Sequence, residues 1–421
     1  MRALSHDSVS GTLRRALFVL LGLFLLVSFQ GSAASAGSSA PVPLLKQGQP
    51  VDWWFMFKLN SGVFPGCSGG ATRVCLFGGT VQDYKFGQQF VYASSNDHAL
   101  QQGSGCAGDS VNDPLGATFD EVYNGHFHYL LWNDQFYDNP KVTGGSTWGH
   151  SKGMLAWNDA GEGMVLQVTT PSWPAAGSTA HPRKGDGNTL GCVTDNDVLV
   201  SQHFFALKLT HDDVIKVLHA LGNSSVVTSP AVVQISNNGG PSDVSDLVKM
   251  LGKRSKSTDV LKETLSSGVI LISKPSDLNV PPWQLVSAEL GSVNLRAATW
   301  WMSPAIYSTT AGTTLKCWSP TLPTPGGVAI ATSGVWDTTV FNLTGGSSGD
   351  RNHAKIGVSV SGASHYSIFG DMNQQGSAVG PGKCNSSQNG RGGLFYVIDD
   401  ATLNAGVTDL IKGDTAPTTA P

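Results

Sequence analysis

The chain lacks the excess of basic residues that favours binding to nucleic acid at neutral pH. It has 26 Lys and Arg against 30 Asp and Glu, and its formal net charge is −4. Without residues 1–36, which hold three Arg and one Asp, the charge becomes −6 (−4 minus 2). Ten of the eleven histidines remain, so full protonation of their imidazoles gives about +4 (−6 plus 10). The composition argues against nucleic-acid binding at neutral pH but is compatible with an anionic substrate in acid.

Long apolar runs are also missing, apart from ALFVLLGLFLLV at residues 16–27. This run is shorter than the about 20 residues that a membrane-spanning helix needs. Arg14 and Arg15 precede it, and small residues ending in ASA (34–36) follow it. Such an order predicts a secretory signal peptide over residues 1–36, with an uncleaved membrane anchor as the alternative. We expect a secreted, periplasmic or lysosome-like protein with no stable membrane association.

No pair of cysteines has the C-x-x-C spacing of a zinc or thioredoxin-type site. Export instead favours disulfides. The six cysteines are Cys67, Cys75, Cys106, Cys192, Cys317 and Cys384. Their spacing does not determine the pairing, although Cys67–Cys75 would close a local loop and Cys317–Cys384 is a further candidate. His126 and His128 have a spacing that could bind metal, but no third ligand is evident, so we expect neither a metal nor a cofactor.

The length of 421 residues allows two ordinary domains or one large two-lobed domain. The 51 Gly and 21 Pro indicate many turns. The predicted segments are a signal peptide (1–36), a flexible lead-in (37–48), the N-terminal half of a catalytic domain (49–222), its C-terminal half (223–412) and a disordered tail (413–421).

The strongest local patterns predict strands and helices mixed within each half. VDWWFMFKL (51–59) and HFHYLLWND (126–134) are typical of strands, and the first is expected to be central. Thr210 and Asp213 have capping-box spacing, which predicts a helix that ends before Gly222. Residues 242–265 are interpreted as a helix, a basic loop and a second helix. Together these elements favour an α/β sandwich of layers.

Two copies of His-x-Lys stand out, in GHSKGML (149–155) and NHAKIGV (352–358). Each is followed by an apolar run, a turn that contains Gly and a β-rich run, so each copy is predicted to open a hairpin. Residues i and i+2 of a strand point to the same face, which places each His beside its Lys. If the halves are related by pseudo-twofold symmetry, all four side chains can converge on one cleft.

This ordered set of motifs resembles the deoxyribonuclease II family, the acid endonuclease branch of the phospholipase D-like fold. The stretches that carry the resemblance are GQPVDWWFMFKL (48–59), LLWNDQ (130–135), GHSKGMLAWND (149–159), NTLGCVT (188–194), NHAKIGV (352–358) and GDMN (370–373). The resemblance implies an α/β fold of the α+β sandwich type. It is expected to be phospholipase D-like, pseudo-twofold and two-lobed, with a mixed β-sheet in each half flanked by helices.

The chain departs from the wider phospholipase D pattern, in which an Asp follows each Lys by five residues. Those positions hold Trp157 and Val360, which agrees with the deoxyribonuclease II branch. Spacing therefore assigns no carboxylate to orient the histidines, and Asp159 and Asp371 are candidates only.

The family resemblance implies a metal-independent acid endonuclease that cleaves DNA, expected to be double-stranded, to 3′-phosphate and 5′-hydroxyl ends. One histidine would attack phosphorus and form a phosphohistidine, and the other would protonate the leaving oxygen. We favour His150 as nucleophile and His353 as acid, although pseudo-symmetry leaves the reverse open. The non-bridging oxygens would be bound by Lys152, Lys355 and Asn373, with Asp371 also in the substrate site.

Other signals allow more than one interpretation. Lys253, Arg254 and Lys256, together with Lys249 and Lys262, either bind DNA phosphates by counterion release or form a solvated helix face. Two G-x-S-x-G segments, at 66–70 and 345–349, are interpreted as loops because neither lies between a clear strand and a clear helix. The segment from Trp132 to Gln135 is expected to support the site.

Two other functions compete with the nuclease. A lipid phosphodiesterase of the same fold would need apolar substrate contacts. A catalytically inactive secreted binding protein would have no need of two intact His-x-Lys motifs and the GDMN segment.

Overall fold

The computed structural model describes residues 39–64, 89–108, 110–136, 145, 147–171, 199–233, 235–379 and 382–418. Several predicted features lie outside the described residues. They are the signal peptide (1–36), the pair Cys67–Cys75, Cys192, the NTLGCVT stretch (188–194) and the first G-x-S-x-G segment (66–70).

The first sheet has eight strands in the spatial order β3-β2-β1-β7-β6-β5-β4-β8. Their bounds are β1 Trp53–Lys58, β2 Phe90–Ser94, β3 Asp97–Gln102, β4 His128–Asn133, β5 Lys152–Trp157, β6 Gly163–Val168, β7 Gln202–Leu209 and β8 Ser236–Asn237. Every strand pair in it is antiparallel. The prediction of a mixed sheet is therefore wrong for the described strands of this half, because each of them runs antiparallel to its neighbours.

The second sheet has seven strands in the order β12-β11-β15-β16-β17-β10-β9. Their bounds are β9 Leu261–Thr264, β10 Ile270–Lys274, β11 Leu295–Ala298, β12 Val328–Ile330, β15 Ile356–Ser359, β16 Tyr366–Gly370 and β17 Gly393–Asp399. This sheet is mixed, since β11 and β12 run parallel. A separate hairpin is formed by β13 (Ser333–Trp336) and β14 (Thr339–Asn342).

Five α-helices accompany the sheets in the described residues. They are α1 Pro114–Tyr123, α2 His211–Asn223, α3 Ser242–Met250, α4 Pro282–Glu289 and α5 Ala401–Leu410. Both α1 and α4 have a proline in the first turn, where the missing N–H costs nothing. The architecture is a mixed α/β one, consistent with the predicted α+β sandwich.

The two sheets face each other across a shared core. Side chains alternate along β1, so Phe55 and Phe57 enter the central core while Trp54 and Met56 pack on the opposite face. Phe55 stacks on Phe369 of the other sheet with a ring-centroid distance of 4.4 Å. Helices α2, α3 and α5 contribute to this central core, whereas α1 and α4 cover the outer faces of the first and second sheet.

The strand order repeats between the sheets. In the first sheet, β1, β7, β6, β5 and β4 are successive neighbours, and in the second the same succession is β10, β17, β16, β15 and β11. The helices follow this repeat, because α2 comes directly after β7 and α5 directly after β17. This repeated order of elements agrees with the predicted pseudo-twofold relation, and it places the two His-x-Lys hairpins, β5–β6 and β15–β16, at equivalent positions.

Most local predictions are confirmed. The predicted strands at 51–59 and 126–134 are β1 and β4, and β1 is central, between β2 and β7. Thr210 caps α2, with Asp213 completing the capping box. The second helix predicted within 242–265 is wrong. Residues 261–264 instead form β9, an edge strand with alternating exposure that returns through a turn at Gly268 to pair with β10.

The two segments predicted to be flexible make tertiary contacts where the structure describes them. In the lead-in, the main-chain N–H of Leu44 donates to the Thr118 hydroxyl at 2.9 Å, and Leu44 pairs with Pro50. In the tail, Thr415 pairs with Ala331, and Ala416 is buried in the core beside the second sheet. These contacts depend on residues distant in the chain, which composition does not show, and the flexibility of the two segments stays a prediction.

The Cys317–Cys384 disulfide is confirmed. Cys106 is also disulfide-bonded. None of the helices that the structure describes is long and apolar enough to span a bilayer.

Candidate active site

The two His-x-Lys motifs meet at one cavity of about 460 Å³. The described side chains that line it are Gln135, His150, Lys152, Thr169, Trp300, Ser347, His353, Lys355 and Asn373. Each motif lies at the start of its hairpin, since Lys152 begins β5 and Lys355 directly precedes β15. Equivalent hairpins in facing sheets therefore bring together side chains that are 203 positions apart (353 minus 150).

His150 is oriented by main-chain groups of the opposite half. Its Nδ1 lies 2.6 Å from the carbonyl oxygen of Asp371. A carbonyl only accepts hydrogen bonds, so Nδ1 carries a proton and Nε2 of the neutral ring keeps its lone pair. The N–H of His150 donates to the carbonyl of Gly392 at 2.8 Å. The ring is thus fixed in one tautomer.

His353 is held from the first half in a corresponding way. Its N–H donates to the carbonyl of Ser201 at 2.7 Å. Trp300 meets its ring edge-to-face, with centroids 3.9 Å apart and planes at 82°. The next lysine is also anchored, because the N–H of Lys355 donates to Nδ1 of buried His203 at 3.1 Å. His203 is therefore neutral, with its proton on Nε2.

Asp134 joins the first motif to the second half of the chain. Its carboxylate lies 2.5 Å from Lys152 Nζ and 2.7 Å from Arg391 Nη2, and the Asp134 and Lys152 side chains are each 3% exposed. Arg391 also donates to the carbonyls of Trp148 and Gly149. Burial alone would raise the pKa of Asp134, but the charges of Lys152, His150 and Arg391 hold it well below its ordinary value.

Both motif histidines have depressed basicity. Burial lowers the pKa of His150 well below 6.5, and the Asp134 carboxylate opposes this shift while Lys152 adds to it. Burial likewise lowers the pKa of His353, with further lowering by Lys355 and Lys152. Without an anionic ligand, both imidazoles are therefore neutral at pH 7.

Asp371 and Asn373 take different places in the site. Burial raises the pKa of Asp371 to about 7, against hydrogen bonds from Ser151 and the N–H of Leu394. Asp371 contacts His150 through its main-chain carbonyl. Asn373 lines the cavity, and its Nδ2 donates to Gln375 at 3.0 Å. One hydrogen of that amide remains for another acceptor.

The alternative candidate for orienting a histidine, Asp159, is wrong. It lies at the turn of the β5–β6 hairpin with 82% of its side chain exposed, and it pairs with Nε2 of His128 at 2.9 Å. This turn follows the end of β5, whereas the motif lies at the start of β5, so the length of the strand lies between them. Among the described residues, no group of three or more His, Cys, Asp or Glu side chains is arranged to hold a metal ion.

Lys253, Arg254 and Lys256 do not line the cavity. They lie in the loop between α3 and β9. They are therefore not part of a helix, so the alternative of a solvated helix face does not apply to them. Arg254 pairs with Asp277 and donates to the carbonyl of Thr147, three residues before His150. Lys253 is exposed, and 75% of the Lys256 side chain is exposed. A role in DNA binding stays a prediction.

Several cavity residues were not predicted from the sequence. Trp300 and Thr169 belong to no motif, and Ser347 lies in the second G-x-S-x-G segment, which is a loop between β14 and β15. Arg391 contacts Asp134 and His203 contacts Lys355, and both pairs are far apart in the sequence. The one usable signal was the WNDQ stretch, which was expected to support the site and contains Asp134 and Gln135.

Fold and site together define an α+β protein in which two sequence-distant His-x-Lys motifs share one cavity. A family model described as Deoxyribonuclease II matches residues 43–412, most of the chain. The chain belongs to the deoxyribonuclease II family.

Three curated proteins show the same relationship over shorter stretches. Deoxyribonuclease-2-alpha of Mus musculus is 30% identical over 210 residues, 43% of this chain and 54% of the mouse protein. Deoxyribonuclease-2-alpha of Rattus norvegicus is 29% identical over 155 residues, 35% of this chain and 39% of the rat protein. Cell-death-related nuclease 7 of Caenorhabditis elegans is 28% identical over 155 residues, 35% of each chain. The aligned stretches therefore span about half of these relatives or less.

Proposed function

We propose that this protein is a metal-independent acid endonuclease that hydrolyses DNA to 3′-phosphate and 5′-hydroxyl ends through a phosphohistidine. The observation that carries the proposal is the convergence of His150, Lys152, His353 and Lys355 on one cavity in a chain of the deoxyribonuclease II family. The names of its relatives support a nuclease acting on DNA, and we infer a double-stranded substrate.

The cavity suits a phosphodiester. Eight of the nine described lining side chains are polar or charged, and no carboxylate is among them. Lys152, Lys355 and the free amide hydrogen of Asn373 can bind the two non-bridging oxygens and the negative charge that develops on them. Side chains of the protein can thus supply the positive charge that stabilises the non-bridging oxygens.

The tautomer of His150 supports its role as nucleophile. In the first step Nε2 of His150 attacks phosphorus and forms the N–P bond, while the bond from phosphorus to O5′ breaks. The His353 imidazolium gives its proton to O5′, which leaves as a 5′-hydroxyl. The resulting intermediate links His150 to the 3′-oxygen strand.

The second step reverses the roles of acid and base. Neutral His353 accepts a proton from water as the water oxygen attacks phosphorus and the N–P bond breaks. This releases the 3′-phosphate strand and restores neutral His150. Trp300, in edge-to-face contact with His353, restricts the orientation of the imidazole in both steps.

The acid requirement follows from the shifted pKa values. The first step needs a protonated His353, whose pKa burial lowers well below 6.5. A bound phosphate anion raises it again, but protonation still becomes more complete as pH falls. Activity should therefore rise from pH 7 towards pH 5.

Trapping of the covalent intermediate tests the mechanism. Wild type, His150→Ala and His353→Ala are incubated with 5′-end-labelled DNA at pH 5 with chelator and quenched in alkaline denaturant, since acid hydrolyses an N–P bond. We expect a labelled adduct in wild type, none in His150→Ala and 3′-phosphate ends in the products. Absence of an adduct in wild type would contradict the proposed phosphohistidine intermediate.

A substrate with sulfur replacing O5′ separates the two histidines. A thiolate leaves without protonation, so this substrate should restore adduct formation in His353→Ala but not in His150→Ala. The opposite pattern would exchange the two roles. Cleavage of a choline phospholipid but not plasmid DNA would replace the nuclease by the lipid phosphodiesterase, and loss of both activities in intact wild type would leave a binding protein.

We also infer that the mature chain works in a secreted, periplasmic or lysosome-like compartment after removal of residues 1–36. The Cys317–Cys384 disulfide supports this inference, since disulfides persist in oxidising compartments. N-terminal sequencing of the protein isolated from its source should begin after Ala36.

A further inference from the structure

Two lysines outside the cavity occupy equivalent buried positions in the two sheets. Lys58 ends β1 and Lys274 ends β10, and β1 and β10 have the same neighbours in the repeated strand order. Both side chains are fully buried. Burying an ammonium group is unfavourable by several kcal/mol unless it is well hydrogen-bonded, so its occurrence at both positions calls for a physical explanation.

Each lysine donates to a main-chain carbonyl that lies two residues before the neighbouring strand. Lys58 Nζ lies 2.5 Å from the carbonyl oxygen of Val200, two residues before β7. Lys274 Nζ lies 2.7 Å from the carbonyl oxygen of Arg391, two residues before β17. The strand registers agree, since Lys58 is opposite the first residue of β7 and Lys274 opposite the first residue of β17.

The next carbonyl in each segment binds a motif histidine of the opposite half. Ser201, which follows Val200, accepts the N–H of His353 at 2.7 Å. Gly392, which follows Arg391, accepts the N–H of His150 at 2.8 Å. The two halves therefore contain the same chain of contacts, from a buried lysine to a pre-strand carbonyl and from its neighbour to a histidine across the interface.

In the second of these contact chains, Lys274 makes further hydrogen bonds. Lys274 Nζ also donates to the carbonyls of Asn389 at 2.8 Å and Pro275 at 3.3 Å, which gives three acceptors for the three hydrogens of an ammonium. Gly392 is packed so closely that an added Cβ would lie 2.0 Å from the Ser224 carbonyl oxygen. The segment before β17 is thus fixed by hydrogen bonds from Lys274 and by close packing against Ser224. In the first contact chain, Lys58 is close enough for its charge to lower the pKa of His353.

We propose that Lys58 and Lys274 are paired positioning residues, each of which fixes the motif histidine of the opposite half by holding the segment that precedes β7 or β17. Lys58 acts on His353 through Val200 and Ser201, and Lys274 acts on His150 through Arg391 and Gly392. The proposal rests on the proposed function for the consequence that displaced histidines slow cleavage. The positional coupling itself depends only on the contacts.

A crossed effect on the two histidines tests the proposal. Full-length mature wild type, Lys58→Met and Lys274→Met are labelled with [13C, 15N]histidine, and the ring signals of His150 and His353 are assigned with His→Gln variants. Loss of the Lys58 charge by itself changes the His353 titration, so the backbone N–H signals of both histidines, which report their bonds to Ser201 and Gly392, are followed as well. We expect Lys58→Met to shift the N–H signal and the titration of His353 and leave those of His150 unchanged, and Lys274→Met to do the reverse. A changed titration with an unchanged N–H signal counts against the proposal. Equal shifts at both histidines, or none at either, would overturn the proposal.

Lys208→Met serves as the matched control. Lys208 lies on β7, but its side chain is exposed and pairs with Asp52 at 3.6 Å. This variant should leave both titrations unchanged. If thermal unfolding shows that either Met variant does not fold, Lys→Gln at the same position replaces it, because its polar side chain ends one atom short of the lysine Nζ and cannot keep the contact with the carbonyl. A folded Gln variant with wild-type titrations at both histidines also counts against the proposal.

Kinetics on DNA give the second measurement. Misplacement of a reacting group by about 1 Å can cost about 10²-fold in rate, so kcat should fall roughly 10- to 100-fold in each Met variant, with KM nearly unchanged and Lys208→Met close to wild type. If wild type does not cleave DNA, the proposed function fails while the titrations still decide the positional coupling. If wild type cleaves DNA and the crossed shifts are absent, only the positioning roles fail.

Discussion

Asp134 shows how a single side chain can link both parts of the site. Its carboxylate pairs with Lys152 of the first motif and with Arg391 from the other half of the chain. The Arg391 side chain is only 16% exposed. In this position the carboxylate balances two largely buried cations and also favours the protonated state of His150.

Replacement of Asp134 by Asn should destabilise the protein strongly. Removal of one partner of a buried ion pair typically costs about 3–5 kcal/mol, and here two cations lose their counter-charge. Chemical denaturation at pH 5 measures the free energy of unfolding. Asp246→Asn is the control, since Asp246 forms an exposed pair with Lys249 and such pairs contribute little. Equal effects of the two substitutions would contradict the importance of burial.

Asp371 should make stability fall as pH rises. Its pKa is raised from 3.8 to about 7 in the folded protein, so between about pH 4 and 7 the folded state holds a proton that the unfolded chain has released. The stabilisation is complete below about pH 4 and lost above about pH 7, and the difference corresponds to roughly 4 kcal/mol.

Asp371→Asn tests this dependence, because the amide keeps an acceptor for the N–H of Leu394 but does not titrate. Free energies of unfolding are compared for wild type and the variant from pH 4 to 8. The wild-type advantage should shrink across this range. A constant difference would show that Asp371 is ionised in the folded state throughout.

At the scale of elements, both motif hairpins depend on a glycine that accommodates a tryptophan. A Cβ on Gly153 in β5 would lie 2.3 Å from Trp132 and 2.6 Å from the Leu166 carbonyl oxygen. A Cβ on Gly357 in β15 would lie 2.5 Å from Trp283. Each hairpin therefore packs against an indole ring, at a glycine one or two residues after its lysine.

Gly153→Ala should destabilise the protein by about 1–3 kcal/mol, the usual cost of overpacking a core, and should lower activity because Lys152 is its neighbour. Gly312→Ala is the control, since its Cβ would meet only Thr310 Oγ1 at 3.9 Å. Chemical denaturation and plasmid cleavage measure the two effects. A Gly153 variant that matches the Gly312 variant in both would show that β5 can move without consequence.

At the scale of the whole molecule, net charge and local charge act in different ways. The chain is acidic overall, yet the loop between α3 and β9 carries Lys253, Arg254 and Lys256. Asp277 pairs with Arg254 and lies 3.9 Å from Lys256 Nζ. The two lysines are therefore the residues of this loop best exposed to contact a phosphate backbone.

Lys253→Gln with Lys256→Gln should weaken DNA binding and reduce its salt dependence. Each lost phosphate contact lowers the slope of log K against log salt by about 0.9, so we expect a decrease of roughly 1–2 with little change in kcat. Binding of catalytically inactive His150→Ala protein to duplex DNA at several salt concentrations measures the slope. Lys412→Gln, in an exposed pair with Asp409, is the control, and an unchanged slope would identify the loop as a solvated surface.

The sequence by itself determined most local elements and pointed to the two motifs whose side chains line the cavity. Nearly continuous apolar and aromatic runs specify β1 and β4, and the Thr210 capping box begins α2. The two His-x-Lys motifs predict two hairpins, because such runs, turns and caps are encoded over a few neighbouring residues. The same local reasoning failed at β9, where edge pairing overrides weak helical spacing.

Only the tertiary structure decided which residues complete the site. Trp300 beside His353, Arg391 beside Asp134, and the carbonyls of Ser201 and Gly392 beside the two histidines join positions that lie far apart in the chain. No spacing rule connects such positions, because these contacts exist only when the two sheets pack face to face. Chain-local periodicity sets the strands, whereas the packing of one half against the other sets the cavity.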